Sequence, residues 1–142
     1  MRINDVIRRK GAVVVTINPD ATVGELLEQL SQHGIGALVV SGDGQGVDGI
    51  VSERDVVRHL HSRGVTVLQA RVSEIMSAEV TTCGPDDSVE QLMRQMTELR
   101  VRHIPVVVDG ALQGIVSIGD VVKHRMDELQ LERDELVGYL NS

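Results

Sequence analysis

Serine and aspartate recur three residues apart in an eleven-residue segment that the chain carries twice. Residues 49–59 read GIVSERDVVRH and residues 114–124 read GIVSIGDVVKH. In each copy a short apolar run, typical of a buried strand, ends at Ser52 or Ser117, and a helical pattern follows. Asp55 and Asp120 then stand at the third helical position, as the acid of a capping box does. The spacing predicts a strand-to-helix corner at both places.

Such a corner has the groups needed to hold a nucleotide. The free N–H groups of a helix N-terminus and the helix dipole favour phosphate. A serine hydroxyl can cap the helix or donate to a phosphate oxygen, and a carboxylate can accept both hydroxyls of a ribose. The alternative is that serine and aspartate only cap the two helices. The presence of the whole pattern twice favours ligand binding.

Composition narrows the classes of function. The chain has 142 residues, of which 42% are hydrophobic, enough for one compact domain or two small halves. A net charge of −7, with one Tyr and no Trp or Phe, argues against nucleic-acid binding but not against a pocket for a small anion. The single Cys excludes an internal disulfide and offers no zinc spacing. No signal peptide or membrane-length run is present, so we expect a cytoplasmic protein without membrane contact.

The elements that would position the two corners come in the same order twice: strand, helix, strand, strand, helix. We predict a leading helix that ends at Gly11, and a helix that Thr22 and Glu25 begin as a capping box. The predicted strands are 12–16, 37–40, 47–51, 80–82, 103–108 and 112–116, and the other predicted helices are 53–63, a turn at 72–76, one from 87 or 88, and one from 118 to about 140. A repeat of this size is marginal alone, so the halves should pack together and leave a cleft along their pseudo-two-fold axis.

These segments, taken in order, resemble a tandem pair of cystathionine-β-synthase-type (CBS) domains, a Bateman module. The matching segments are 14–23, 34–40 and 49–55 in the first half, 80–89, 102–107 and 114–120 in the second, and 72–77 as the entry to the second repeat. The resemblance implies an α/β fold of two tandem β-α-β-β-α repeats at 8–65 and 72–125, related by pseudo-two-fold symmetry. Residues 126–142 would form an extended C-terminal helix.

The resemblance also implies a regulatory module that binds an adenine nucleotide between its repeats. AMP, ATP, NAD(H) and S-adenosylmethionine represent the ligand class, and no catalytic cofactor is expected. The implied contacts are Asp55 and Asp120 at ribose hydroxyls, Ser52 and Ser117 near phosphate or ribose, Thr16 and Thr82 with the backbone of Ile17 and Cys83 at the adenine ends, and Val40, Ile104, Pro105 and Val106 as apolar walls.

The two copies differ in their polar residues. Arg54 precedes Asp55 and could pair with a phosphate, or it could be a solvated residue at the helix start. Gly119 stands in its place in the second copy, which weakens the case for phosphate there. Arg102 and His103 are interpreted as ligand contacts, whereas Arg100 is interpreted as an exposed helix end.

Catalysis and metal binding have little support in the sequence. His59 and His61 are two residues apart and would not share a helix face, so no metal site is predicted. Ser52 and Ser117 lack the flanking glycines of a nucleophile elbow. Cys83 is predicted to be a buried small apolar residue rather than a reactive thiol. We therefore do not expect an enzyme.

The last predicted helix carries a partner-binding pattern. An apolar stripe with coiled-coil spacing, interrupted by Arg133, consists of Val122, Met126, Leu129, Leu136 and Leu140. It predicts a homodimer; the alternative is that the helix folds back on its own domain. The hypothesis is a sensor whose ligand changes the arrangement of repeats or dimer, read by an unknown downstream protein. The alternative hypothesis is a constitutive homodimeric scaffold with non-functional clefts.

Overall fold

The computed structural model describes residues 2–11 and 14–141, which form two small β-sheets with helices packed on them. The helices are α1 (Ile3–Lys10), α2 (Val23–His33), α3 (Glu53–Arg63), α4 (Val72–Ile75), α5 (Val89–Leu99) and α6 (Ile118–Asn141), with a 3-10 turn at Gly64–Gln69. The strands are β1 (Thr16–Ile17), β2 (Ala37–Val40), β3 (Gly49–Ser52), β4 (His103–Val108) and β5 (Ala111–Ser117). The predicted α/β class and the long C-terminal helix are confirmed.

The two halves have matching strand registers. In the first sheet β1 runs parallel to β2, and β2 pairs antiparallel with β3 so that Ala37 lies opposite Ser52. In the second, β4 pairs antiparallel with β5 so that His103 lies opposite Ser117. Each corner serine is therefore the last residue of its strand and faces the first residue of the neighbouring strand. The predicted order of strand, strand and helix is therefore confirmed in both halves, from β2 onward in the first and from β4 onward in the second.

The predicted opening strands are shorter than expected. The first is confined to Thr16–Ile17, while residues 12 and 13 of the predicted segment 12–16 lie outside the described residues. The predicted strand 80–82 is wrong, since the second half keeps only a single parallel bridge between Cys83 and Val106. Two hydrogen bonds hold this bridge, from Cys83 N–H to the Pro105 carbonyl (3.0 Å) and from Val107 N–H to the Cys83 carbonyl (2.8 Å). Among the described residues, 80–82 form no ladder with β4, although Cys83 lies beside it.

The two hydrophobic cores exchange their entry helices. Ile3 and Val6 of α1 are buried in the core of the second half, whereas Val72 and Ile75 of α4 are buried in the core of the first. Matching hydrogen bonds fix each helix start: Ile3 N–H donates to the Asp87 carbonyl, and Val72 N–H to the Ala21 carbonyl. Each folded repeat therefore includes a helix that precedes the other repeat in the sequence. Because of this exchange, the end of α1 lies next to the corner formed by Ser117 and Asp120.

Candidate functional site: two clefts between the repeats

Both corner carboxylates are held in place by their own helix starts. Asp55 accepts through Oδ2 from the N–H (2.8 Å) and the hydroxyl (3.2 Å) of Ser52. Asp120 accepts through Oδ2 from the Ser117 N–H (3.0 Å), while its own N–H donates to the Ser117 hydroxyl (3.1 Å). Among the described residues no donor reaches the Oδ1 atom of either aspartate. Capping therefore orients each carboxylate and leaves one of its oxygens available for a ligand.

Each helix start is also tied to the loop before the neighbouring strand. The N–H of Glu53, the first residue of α3, donates to the Gly36 carbonyl at 3.0 Å. The N–H of Ile118, the first residue of α6, donates to the Arg102 carbonyl at 2.8 Å. These equivalent bonds fix the position of each corner against the strand beside it.

The first corner faces a cleft whose other wall comes from the second repeat. Cleft 1, with a volume of about 190 Å³, holds Ser52 and Asp55 on one side. The opposite side carries Val80, Thr81 and Val101 from the second half. The corner and the wall therefore come from different repeats, as the expected cleft along the pseudo-two-fold axis requires.

Cleft 2 is the counterpart at the second corner. It has a volume of about 490 Å³ and holds Ser117 and Asp120 against Val14, Val15 and the 34–37 loop of the first half. Its volume falls within the range of roughly 300–1,000 Å³ that is usual for small-molecule sites, whereas that of cleft 1 lies below it. The fold thus supplies two related clefts of unequal size.

The two clefts also differ in their charged residues. Cleft 1 contains Arg54, Arg58 and Arg100, and none of them forms an ion pair within the part of the chain that the structure describes. In cleft 2 the ammonium of Lys10 donates to Asp120 Oδ2 at 2.7 Å. Cleft 1 therefore offers free guanidinium groups to an anion, while the cation of cleft 2 is already paired.

The pKa values of two cleft side chains follow from these surroundings. Burial works to raise the pKa of Asp120, but hydrogen bonds from Lys10 and Ser117 outweigh it and leave the pKa below its ordinary value. Burial lowers the pKa of His103, and the positive charge of Lys10 lowers it further, while Asp120 and Glu53 oppose both. Asp120 is therefore a carboxylate and His103 a neutral imidazole at neutral pH.

Six of the predicted contact residues line a cleft. Cleft 1 brings together Ser52, Arg54, Asp55 and His103. Cleft 2 brings together His103, Ser117 and Asp120. His103 is shared, because it lies where the two clefts approach each other.

The other predicted contacts do not line either cleft. They are Thr16, Ile17, Val40, Thr82, Cys83, Arg102, Ile104, Pro105 and Val106. Most of them are buried between sheet and helices, where strand pairing directs the side chains into the cores. Residues two positions before the predicted ones form the cleft walls instead. Val14 and Val15 precede Thr16 and Ile17 and line cleft 2, and Val80 and Thr81 precede Thr82 and Cys83 and line cleft 1. Ligand contact by these nine residues, including the backbone of Ile17 and Cys83, stays a prediction.

Cys83 lies in the core of the second half. It is 7% exposed, and burial, with a smaller contribution from the negative charge of Asp87, raises the pKa of its thiol to about 12. A thiol with this pKa is protonated at neutral pH and has little nucleophilic character. These surroundings agree with the sequence interpretation of a small apolar residue.

The sequence interpretation missed three basic residues. Arg58 lies one helical turn after Arg54 and shares its face, a spacing that was readable from the sequence. Arg100 is an exposed helix end, as the sequence indicates, and it also lines cleft 1. Lys10 reaches cleft 2 only because α1 packs on the second half, and no local pattern indicates this.

Residues 2–11 and 14–141 contain no group of three or more His, Cys, Asp or Glu side chains arranged to hold a metal ion. Within the same ranges, no helix has both the length and the apolar character needed to cross a bilayer.

Comparison with known proteins agrees with the repeat. The CBS domain matches the chain twice, over residues 3–62 and 72–127. The mitochondrial CBS domain-containing protein CBSX3 of Arabidopsis thaliana is 36% identical over 97% of this chain and 71% of its own length. The crystal structure of the CBS-domain containing protein ATU1752 from Agrobacterium tumefaciens superposes with a TM-score of 0.84, at 45% identity, covering 88% of this chain and 99% of that one.

A more distant structure contains ligands. The CBS domain pair of protein MJ0100, in complex with 5′-methylthioadenosine and S-adenosyl-L-methionine, has a TM-score of 0.77 at 22% identity over 87% of this chain and 98% of that one. At this identity the likeness establishes the fold. Together with the two domain matches and the two nearer relatives, it leads to one conclusion. The chain belongs to the CBS-domain family and carries the domain as a tandem pair.

Proposed function

We propose that this protein is a regulatory module that binds adenine nucleotides in the clefts between its two CBS repeats. The observation that carries the proposal is the duplicated arrangement of a capped carboxylate facing the wall of the other repeat. The adenosine compounds bound by the CBS pair of MJ0100 support the choice of ligand class.

Each cleft offers the groups that an adenine nucleotide requires. Asp55 and Asp120 each have an Oδ1 that no donor reaches in the described part of the chain and that can accept ribose hydroxyls. Val80 and Val101 in cleft 1, and Val14, Val15 and Leu38 in cleft 2, supply apolar surface for a base. Since the chain has no Phe or Trp, aliphatic side chains take the part that aromatic rings play in many nucleotide sites.

Phosphate binding is proposed to be strongest in cleft 1. Arg54 and Arg58 lie one turn apart on α3, and Arg100 approaches from the end of α5. Guanidinium groups bind phosphate oxygens by charge-assisted hydrogen bonds, often in pairs. Three guanidinium groups without ion-pair partners among the described residues favour a ligand with at least one phosphate in this cleft.

A ligand in either cleft would contact both repeats at once. It would therefore favour one relative arrangement of the repeats by its difference in affinity between arrangements. We propose that a homodimer, formed through the exposed apolar stripe of α6, transmits this change to a downstream protein. Met126, Leu129, Leu136 and Leu140 of the stripe are between 48% and 80% exposed in the single chain. In this account the protein catalyses no reaction.

A thermal-shift screen tests the proposal. AMP, ATP, NADH and S-adenosylmethionine would be added separately to the full chain and to Asp55→Ala and Asp120→Ala variants. A ligand at roughly 100 times its dissociation constant adds about 2.7 kcal/mol to the free energy of unfolding, which raises Tm by several degrees. Stabilisation by one of these ligands that either variant reduces supports the sensor. No shift with any of the four at millimolar concentration favours the scaffold alternative, and hydrolysis of the ligand would point to an enzyme.

A further inference from the structure

Lys10 lines cleft 2, and its charge is not repeated at the equivalent position of cleft 1. α1 and α4 start with equivalent hydrogen bonds, and the residue seven positions beyond each start reaches a cleft. After α4 that residue is Glu79, which lines cleft 1. In α1 it is the last helical residue, Lys10, which lines cleft 2. The exchanged entry segments therefore present opposite charges to the two clefts.

The ammonium of Lys10 is bound to the carboxylate that a ribose would use. Its Nζ donates to Asp120 Oδ2 at 2.7 Å and to the Ile115 carbonyl at 2.9 Å. The two charged side chains are 38% and 26% exposed. Asp55, the equivalent acid of cleft 1, accepts only from Ser52 among the described residues and has no cation on it.

A ligand that hydrogen-bonds to the Asp120 carboxylate therefore approaches the ammonium of Lys10 as well. Hydroxyl groups that approach the carboxylate compete with the ammonium or share the carboxylate with it. The Lys10 ammonium is 38% exposed and also donates to the Ile115 carbonyl, so a second anion next to it would replace the part of the carboxylate that it shares with a ligand by a charge-assisted hydrogen bond. A phosphate next to the ribose supplies that anion, whereas a neutral nucleoside does not.

Resting on the proposed function, we propose that Lys10 makes cleft 2 selective for adenosine ligands that carry a negative charge beside the ribose. Lys10 then binds the phosphate while Asp120 accepts the ribose hydroxyls. Arg9 does not take this role, because it does not line cleft 2 and its guanidinium is bound to Asp127 at 2.8 Å. Cleft 2 binds a nucleoside monophosphate in preference to the nucleoside.

Calorimetry with AMP and adenosine tests this selectivity. An Asp55→Ala background removes the corner of cleft 1, so that binding reports on cleft 2. In this background we expect AMP to bind at least about tenfold more tightly than adenosine, as a hydrogen bond between charged groups provides. Lys10→Met, which keeps most of the length and loses the charge, should bring the ratio of the two dissociation constants close to one. Lys10→Arg should restore the preference for AMP.

The ratio of affinities separates ligand recognition from stability. A merely structural Lys10 would weaken AMP and adenosine equally on mutation and leave the ratio unchanged, which would overturn the proposal. Lys123→Met, which removes a lysine that does not line cleft 2, is the matched control and should keep the preference. If Lys10→Met does not fold, Lys10→Gln gives the same comparison. Absence of binding by both ligands in the unmodified chain would instead refute the proposed function itself.

Discussion

Ala37 and His103 occupy equivalent positions at the start of β2 and β4, and each of them lines both clefts. At the junction of the two sites the first repeat therefore contributes a methyl group and the second an imidazole. His103 is one titratable side chain that faces both ligand positions. The pseudo-two-fold symmetry of the backbone is broken at this point by side-chain chemistry.

The lowered pKa of His103 predicts how stability depends on pH. Burial and the charge of Lys10 disfavour the imidazolium in the folded state, while the unfolded chain takes up the proton near pH 6.5. The contribution of neutral His103 to stability is therefore fully present above about pH 6.5. It falls as the pH drops from there towards the folded-state pKa, because the unfolded state binds more protons. Urea titrations at pH 7.5 and 5.5 should show a larger loss for the wild type than for His103→Gln. Equal losses would contradict this role of His103.

The capping role of Asp55 can be separated from its proposed ligand role with a matched acid. Glu25 forms the capping box of α2, accepting from the Thr22 N–H at 3.1 Å, and it lines neither cleft. Asp55→Ala and Glu25→Ala should each cost about 1 kcal/mol of stability, since each removes one cap. Only Asp55→Ala should also weaken nucleotide binding. A Glu25→Ala variant with the same loss of binding would mean that stability alone accounts for the effect.

We predict that Arg100 lowers the stability of the fold and strengthens ligand binding. It ends α5 with φ 55°, in the left-handed region, where the equivalent residue of the first repeat is Gly34 with φ 61°. A side chain in this conformation costs about 1 kcal/mol, which glycine does not incur. Arg100→Gly should therefore raise Tm and at the same time weaken ATP binding in cleft 1. A variant that is less stable than the wild type, or that binds ATP as tightly, would contradict the prediction.

The apolar stripe of α6 predicts a dimer that charged residues should disrupt. Leu129→Glu combined with Leu136→Glu puts carboxylates on the stripe at positions 48% and 64% exposed in the single chain. Sedimentation velocity should then show monomers where the wild type sediments as a dimer. Leu131→Glu is the control, because this residue is 56% exposed on the same helix but lies off the stripe. Dissociation by the control variant, or a monomeric wild type, would argue against the stripe as the interface.

Much of the fold was predictable because its determinants are local. The capping box at Thr22 and Glu25 and the strand-to-helix corners at Ser52 and Ser117 depend on residues within one turn of each other. The duplication then gave the order of the elements twice. α2 and α3 consequently begin at the residues that the sequence indicates.

The missed features depend on contacts distant in the chain. The exchange of α1 and α4 between cores follows from how the halves pack, and amphipathic spacing alone is equally compatible with either core. For the same reason Lys10 could not be placed at Asp120, 110 residues away in the chain. The parallel bridge at Cys83, rather than a strand over 80–82, depends on which residues find a partner in β4.

We propose that the two corner carboxylates hold the sugar of an adenine nucleotide. Isothermal titration calorimetry of AMP and ATP against the full chain and an Asp55→Ala/Asp120→Ala variant tests it most directly. The matched control is Glu25→Ala/Glu74→Ala, which removes two capping acids that line neither cleft. We expect binding to the wild type and the control, and a loss of at least about tenfold in affinity for the corner variant. Equal affinity of all three proteins, or no binding to any of them, would contradict it.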